Sequence, residues 1–282
     1  MEDERFRLNA ALRSGLIAIT LLLPTIPSDA PVRASESENT PKSGQPGKDV
    51  VWMPSTMAMV EKLLDMAAVT PQDYLIDLGS GDGRNVIAAA KRGARAHGIE
   101  YDGNLVELSR RQAAREGVGD KATFEQADLF VADFSKATVI VLFLTPEMNI
   151  PLRPKLLDLK LGARVVANTF AIGDWNPDQT SVVSANCERW CTGRLWIVPA
   201  KVAGRWQLPQ GEVILKQTYQ TFSGTMTGPT GKTPVVGRLH GENIFFAVGK
   251  ARFTGRVAGD VIEGLAREAG KDSEFRAKRI GR

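Results

Sequence analysis

Residues 74–93 read "YLIDLGSGDGRNVIAAAKRG". No other stretch limits the fold as much. A short apolar run ends at Asp77, Gly79, Gly81 and Gly83 alternate with polar residues, and an alanine-rich amphipathic run follows until Gly93 stops it. A strand, a glycine turn and a helix in that order gather main-chain N–H groups at the strand's carboxyl end. Open α/β sheets bind ligands at that end, and a glycine lets a ligand approach the backbone closely. The spacing here is G-x-G-x-G, with an aspartate two residues ahead. The dinucleotide fingerprint is G-x-G-x-x-G and the phosphate loop is G-x-x-x-x-G-K-[ST]. No lysine follows Gly83 to bind a nucleoside triphosphate, and the glycine spacing argues against a nicotinamide oxidoreductase.

The surrounding pattern predicts the rest of the sheet. A helix is expected to begin at Pro54 and Ser55, with Ser55 as its N-cap. Met59, Val60, Leu63, Leu64 and Ala67 form its apolar face at helical spacing. The strands "YLIDL", "ARAHGIE", "ATFEQ", "ATVIVLFLT" and "ARVVANTF" alternate with helical runs, the last of which, "PEMNIPLRPKLLDL", reads as broken by its prolines. Such alternation predicts parallel pairing in a doubly wound α/β sheet. Past residue 175 the period changes. "TSVVSANCE" and "GRLWIVP" read as two strands joined by a short turn. Short period-2 segments punctuated by glycines follow, with no convincing helix before the last twenty residues. This is the pattern of an antiparallel meander or small barrel. "GRLHGENIFF" and "GRVAGDVIEG" share a rhythm that reads as successive hairpins.

At 282 residues, 43% of them hydrophobic, the chain can bury a sizeable core without disulfide staples. The net charge of +4 is uneven: from Arg194 onward 15 Lys/Arg face 7 Asp/Glu, so the first 193 residues sum to −4. The basic end is expected to be a solvated surface with a frayed tail, the alternative being a docking face for an acidic partner or membrane surface. The N-terminus runs from a charged stretch through "LIAITLLLPTIP" to a Pro- and Ser-rich segment. That order predicts an export signal or membrane tether, and a disordered leader is the other reading. The expected organisation is a signal peptide or tethering leader at 1–34, a flexible linker at 35–49, a ligand-binding α/β domain at 50–199, and an antiparallel β domain with a basic tail at 200–282.

Two further acids stand where a nucleoside would need them. Glu100 closes the second strand about 20 residues past the glycines, placed to accept from ribose hydroxyls. Asp128 follows the third strand, placed to accept from an adenine amino group. "DLGSGDG", an acid ending the next strand and "AD" after the third together resemble the S-adenosylmethionine (SAM) site of class I methyltransferases. The resemblance covers roughly residues 50–198 and implies a seven-stranded Rossmann-like sheet. It assigns Asp77, Gly79, Ser80 and Gly81 to the methionine part of SAM, Glu100 to the ribose, and Asp128 with the backbone of Leu129 to the adenine. "DVVWMPSTMAMVEKLLDMA", "LFLTPEMN", "LRPKLL" and "GDWNPD" further resemble a bacterial group related to mitochondrial membrane-anchored lysine N-methyltransferases. The resemblance implies a protein lysine as methyl acceptor. "LFLTPEMN" stands where enzymes acting on DNA bases or glutamine carry D/N-P-P-Y, which disfavours a nucleic-acid partner. A need for SAM points to the cytoplasm, against the reading of the leader.

Methyl transfer from a sulfonium asks mainly for proximity and alignment. Glu147 and Asn149, in the loop after the fourth strand, are candidates to orient an incoming amine; alternatively Pro146 and Glu147 simply start a helix. Trp52, Asp174 and Trp175 are candidate walls for the acceptor, or core. His97 reads as a satisfied strand residue. No cluster has metal-ligand spacing. Cys187 and Cys191 are expected as a disulfide in an exported protein and as free thiols in the cytosol. The competing function is a methyltransferase-like fold without turnover, whose β domain mediates docking.

Overall fold

The computed structural model describes residues 41–229 and 231–281. The leader expected at 1–34 and the first residues of the expected linker lie outside them. Strands β1 (Tyr74–Leu78), β2 (Arg95–Glu100), β3 (Ala122–Gln126), β4 (Val139–Leu142) and β5 (Arg164–Asn168) alternate with helices α2 (Arg84–Lys91), α3 (Gly103–Arg115) and α4 (Pro146–Leu157). Helix α1 (Met57–Met66) precedes them, and β6 (Gln179–Val182) and β7 (Thr192–Ile197) complete the sheet. The order is β3-β2-β1-β4-β5-β7-β6, with β1 through β5 parallel and β7 antiparallel to both of its neighbours. This is the doubly wound seven-stranded sheet.

β1, β4 and β5 are nearly continuous apolar runs because both of their faces are covered. On one face α1 and α2 bury Met59, Leu63, Val86 and Ala89 against Leu75, Val141 and Val166. On the other, Leu152 and Leu156 of α4 pack with Ile76, Ile140 and Val165. Two local expectations shift. The N-cap of α1 is Thr56, whose hydroxyl accepts from Met59 N, and not Ser55, whose hydroxyl accepts from Asn168 instead. Helix α4 runs unbroken through Pro151 and Pro154. Each proline removes one helical N–H, and burial of Leu152 and Leu156 on the sheet offsets the loss.

Strands β8 (Gly204–Leu208), β9 (Gly211–Thr218), β10 (Thr221–Gly228), β11 (Gly231–His240), β12 (Asn243–Val248), β13 (Ala251–Ala258), β14 (Val261–Glu268) and β15 (Lys271–Gly281) form a closed antiparallel barrel. Residues 261–268 and 271–281 are strand, joined by a tight turn, and β15 pairs with β8 to close the barrel rather than fraying. The repeated glycine rhythm has a steric cause. Gly237 pairs Phe222 on one side and Phe246 on the other, and a Cβ there would lie 2.2 Å from the Phe222 ring. Gly255 pairs Gly264, and a Cβ on Gly255 would meet the Glu263 carbonyl at 2.5 Å. The second glycine of each rhythm, Gly241 or Gly259, sits at a turn with φ near +60°.

The barrel is keyed to the sheet through the β5–β6 connection. Trp175 is fully buried and stacks on Tyr219; its indole N–H donates to Gln220 Oε1 at 3.0 Å, and Gln220 Nε2 donates to Asn176 O. Asp174 is exposed and accepts from the Tyr219 hydroxyl at 2.9 Å. Arg238 pairs with the sheltered Asp178. Asp174 and Trp175 are therefore joints between sheet and barrel, not walls of a ligand pocket.

Candidate active site

The sheet order reverses direction between β1 and β4, so their following connections diverge and leave a crevice at the carboxyl ends. Gly79, Ser80, Gly81, Glu100, Asp128 and Leu129 all line one pocket there. The glycine turn builds its floor. Gly79, Gly81 and Gly83 have φ of +79°, +56° and +82°, a region that side chains resist. A Cβ on Gly81 would stand 2.5 Å from Trp52 Nε1, so the turn and the Trp52 indole can touch only because that side chain is missing. Gly79 N and Ser80 N donate to Ile99 O, which locks the turn to the end of β2.

Glu100 is oriented by the backbone around it. One carboxylate oxygen accepts from Gly81 N at 2.8 Å, and the other from Tyr101 N at 2.8 Å and Asp102 N at 2.9 Å. Three fixed donors hold the carboxylate at the pocket wall. Asp128 accepts from Phe130 N at 2.9 Å and from Lys48 Nζ at 2.6 Å. The Lys48 ammonium, then the Phe130 N–H, keep its carboxyl below the usual carboxylate range.

Asp77 sits beneath the pocket. It is 1% exposed, does not line the cavity, and accepts from Asn85 Nδ2 at 3.0 Å. Burial pushes its carboxyl up to about 8, opposed by the Asn85 hydrogen bond and reinforced by the negative charges of Glu100 and Asp82. Its contact with the pocket runs through Asn85, which does line it.

Neither Glu147 nor Asn149 lines this pocket; Met148 between them does. Helical phase is the reason, since successive residues of α4 point about 100° apart. Glu147 is exposed in the first turn, where its own N–H and the Thr145 hydroxyl hold its carboxyl low. Asn149 is fully buried and donates to Leu144 O at 3.3 Å and Ala171 O at 3.1 Å. It clamps the β4–α4 turn to the β5–β6 connection. His97 is satisfied by the Thr123 hydroxyl at 2.8 Å and by Glu125. Cys187 and Cys191 are joined in a disulfide.

Trp52, a candidate wall in the sequence, does line this pocket; the remaining lining residues carry no strong sequence signal. Residues 45–55 run along the pocket, contributing Lys48 and Trp52, and Lys48 Nζ stands 4.6 Å from the centre of the Tyr101 ring. This segment has no helical or strand period to single it out, although part of it falls in the expected linker. Arg84 pairs with Asp82 and donates to Ser55 O at 2.5 Å, tying the glycine turn to the start of α1. Among the described residues, three buried side-chain atoms lack a hydrogen-bond partner: Ser80 Oγ, Asn85 Oδ1 and Asn149 Oδ1. Two of the three belong to residues lining the pocket. Buried polar atoms normally find partners, so these two fit a polar ligand seated on the glycine turn.

Comparison with known proteins agrees with this geometry. Residues 77–179 match the family described as the ANTKMT methyltransferase domain. A protein-lysine N-methyltransferase of Saccharolobus islandicus is 36% identical over 133 residues, which is 46% of this chain and 83% of that protein. The chain belongs to this methyltransferase family. The adenine nucleotide translocase lysine N-methyltransferase of Mus musculus is 34% identical over 142 residues; the match spans 50% of the chain and 61% of the mouse protein's length. Among solved structures, an RNA methyltransferase from Salinibacter ruber in complex with S-adenosylhomocysteine is 42% identical, with a TM-score of 0.50, covering 53% of this chain and 96% of that one. The matched residues include the glycine turn, Glu100 and Asp128 of the methyltransferase pocket. The chain is a SAM-dependent methyltransferase, and the barrel lies outside the family match.

Proposed function

We propose that this methyltransferase modifies the ε-amine of a lysine on a protein substrate. The observation that carries the reading is the identity of 36% and 34% over the domain to two relatives named as lysine N-methyltransferases. SAM, when bound, supplies a methyl group already electrophilic on its sulfonium. The chain's residues bind and align. In this reading Glu100, held by three backbone N–H groups, accepts from the ribose hydroxyls. Asp128 and Leu129 flank the adenine. Gly79 and Gly81 leave room for the methionine moiety, with Ser80 Oγ and Asn85 Oδ1 as free polar atoms beside it. Asp77 acts through Asn85. Leu105, Leu144 and Met148 supply apolar walls of the same pocket and exclude water.

Alignment of a neutral amine with the methyl group provides most of the acceleration in such a displacement. Asn149 contributes as a positioning residue, because it fixes the turn that carries Phe143 and Leu144. Glu147, exposed and outside the pocket, is given no bond-making role. The test is transfer of a labelled methyl group from SAM to cell-extract proteins, followed by hydrolysis and separation of amino acids. Label in methyl-lysine is expected. Label recovered in nucleic acid, with none in protein, would overturn the lysine reading while leaving the methyltransferase intact.

A further inference from the structure

A second depression adjoins the methyl-donor pocket and shares Met53, Pro54, Ser55 and Phe143 with it. Its far wall is the connection between β6 and β7, a nine-residue loop (183–191) in place of the short turn expected. Cys187 and Cys191 are crosslinked within it, with their Cα atoms 5.8 Å apart. Two rings, Phe143 and Trp190, line the rim, and Phe170 packs against Phe143 from outside the lining. Phe143, just past β4, stacks on Phe170 at 6.2 Å and meets Trp190 edge-on at 5.9 Å. All three rings are half-buried.

The backbone is strained at one of these rings and at the residue before another. Trp190 has φ +55° and Thr169, next to Phe170, has φ +59°. A bulky or β-branched residue in the left-handed region is an outlier, held only where surrounding structure over-determines it. Here the hold is visible. Thr169 N donates to Thr192 O at 2.6 Å, Arg194 Nε donates to Thr169 O at 2.8 Å, and the disulfide brackets Trp190. Strain kept on both sides of one aromatic rim points to a function for the rim.

The only charged residues lining the depression, among those described, are Glu188 and Arg189, which cancel. Recognition therefore falls to the rings. An aromatic face attracts an ammonium group through its quadrupole, and the Arg189 guanidinium already lies 5.2 Å from the Trp190 ring centre.

We propose that the crosslinked turn is the acceptor-recognition element of this chain: it holds Trp190 against Phe143 so that the two rings receive the aliphatic ammonium side chain of a lysine entering toward the methyl-donor pocket. The proposal rests on the lysine reading above and goes beyond it by naming the residues that select the acceptor. Trp190 is the recognition residue and the disulfide is its positioning device.

The experiment uses the full chain and a bisubstrate probe: an aza analogue of S-adenosylhomocysteine with a lysine side chain joined at the position of the transferred methyl. Calorimetry compares its affinity with that of S-adenosylhomocysteine. The intact protein is expected to prefer the probe by about tenfold. Trp190→Ala is expected to lose that preference with S-adenosylhomocysteine affinity unchanged, while Trp190→Phe keeps most of it. Reduction of the disulfide, or Cys187→Ser with Cys191→Ser, is expected to act like Trp190→Ala. Thermal melting and retained S-adenosylhomocysteine binding show that each variant is folded. Equal affinity for both ligands in the intact protein, or a preference that survives Trp190→Ala, overturns the role of the rings. A preference that survives loss of the disulfide overturns the role of the crosslink. If S-adenosylhomocysteine itself does not bind the intact protein, the methyl-donor pocket is misassigned and the proposal falls with it.

Discussion

The sheet and the barrel bury different things. At the carboxyl edge of the sheet the buried residues include Asp77, Ser80, Asp82, Asn85, Asn149 and Asn168. Among the described residues, all three buried side-chain polar atoms without partners are there. Among the described residues of the barrel the buried set is apolar throughout, apart from Gln220, which faces the joint with the sheet. A polar group taken out of water costs free energy unless it is paired. The sheet tolerates that cost at one edge and the barrel avoids it altogether. The contrast separates a region arranged to bind from a region arranged to hold its shape, and it can be tested by perturbing each in turn.

The largest effect is expected in the barrel. Phe253 stacks on Phe246 at 4.5 Å and meets Phe275 edge-on at 5.1 Å. Phe253→Ala should lower unfolding stability by about 3–5 kcal/mol and leave the calorimetric affinity of the folded protein for S-adenosylhomocysteine unchanged. A matching fall in affinity would show that the barrel shapes the pocket. The reverse case is Glu100→Ala. Loss of the carboxylate that three N–H groups orient should weaken S-adenosylhomocysteine by about 2–3 kcal/mol, with a smaller change in thermal midpoint.

Asp77 carries a cost of binding within the fold. Its carboxyl, about 8 in the folded chain against 3.8 ordinarily, binds a proton there that the unfolded chain has released. Between those values the unfolded state holds fewer protons, so the stability this group contributes is full below about pH 4 and is lost as pH rises toward 8. The slope is about 1.4 kcal/mol per pH unit at its steepest. Asp77→Asn keeps an acceptor for Asn85 and cannot ionise. Its thermal midpoint should exceed that of the parent by a margin that widens from pH 5 to pH 8, while its affinity for S-adenosylhomocysteine falls. A margin that stays constant with pH would show that burial does not hold the proton on Asp77.

The sheet was legible because its signals are local. Alternating strand and helix periods, the glycine turn and an acid at each of two strand ends point to Gly79, Gly81, Glu100 and Asp128, the resemblance to the SAM site adds Ser80 and Leu129, and all six meet in one pocket. The barrel followed from glycine punctuation, although closure by the basic terminal strand depends on a pairing between β8 and β15 that no local pattern announces. What stayed open depends on direction rather than on residue type. Asp174 and Trp175 read as a ligand wall or as core, and for Trp175 the core reading holds: which partner a buried indole finds is a tertiary fact, and here it is Gln220. Glu147 and Asn149 fall on either side of the position that faces the pocket, because a one-residue change of helical phase turns a side chain by about 100°. Lys48 belongs to a stretch without period, so its contact with Asp128, eighty positions on, left no trace in the sequence.

That contact gives the smallest and sharpest test of the comparison. Lys48 and Asp128 are both partly exposed, at 35% and 30%, so solvent screens their attraction. The Lys48 ammonium holds one oxygen of the carboxylate that the proposed site assigns to the adenine amino group. Lys48→Ala should therefore tighten S-adenosylhomocysteine, by no more than about threefold, and added salt should produce the same tightening in the parent but not in the variant. Weaker binding in Lys48→Ala would place the lysine among the ligand's partners, and the segment carrying it would then count as part of the binding edge rather than as a competitor for it.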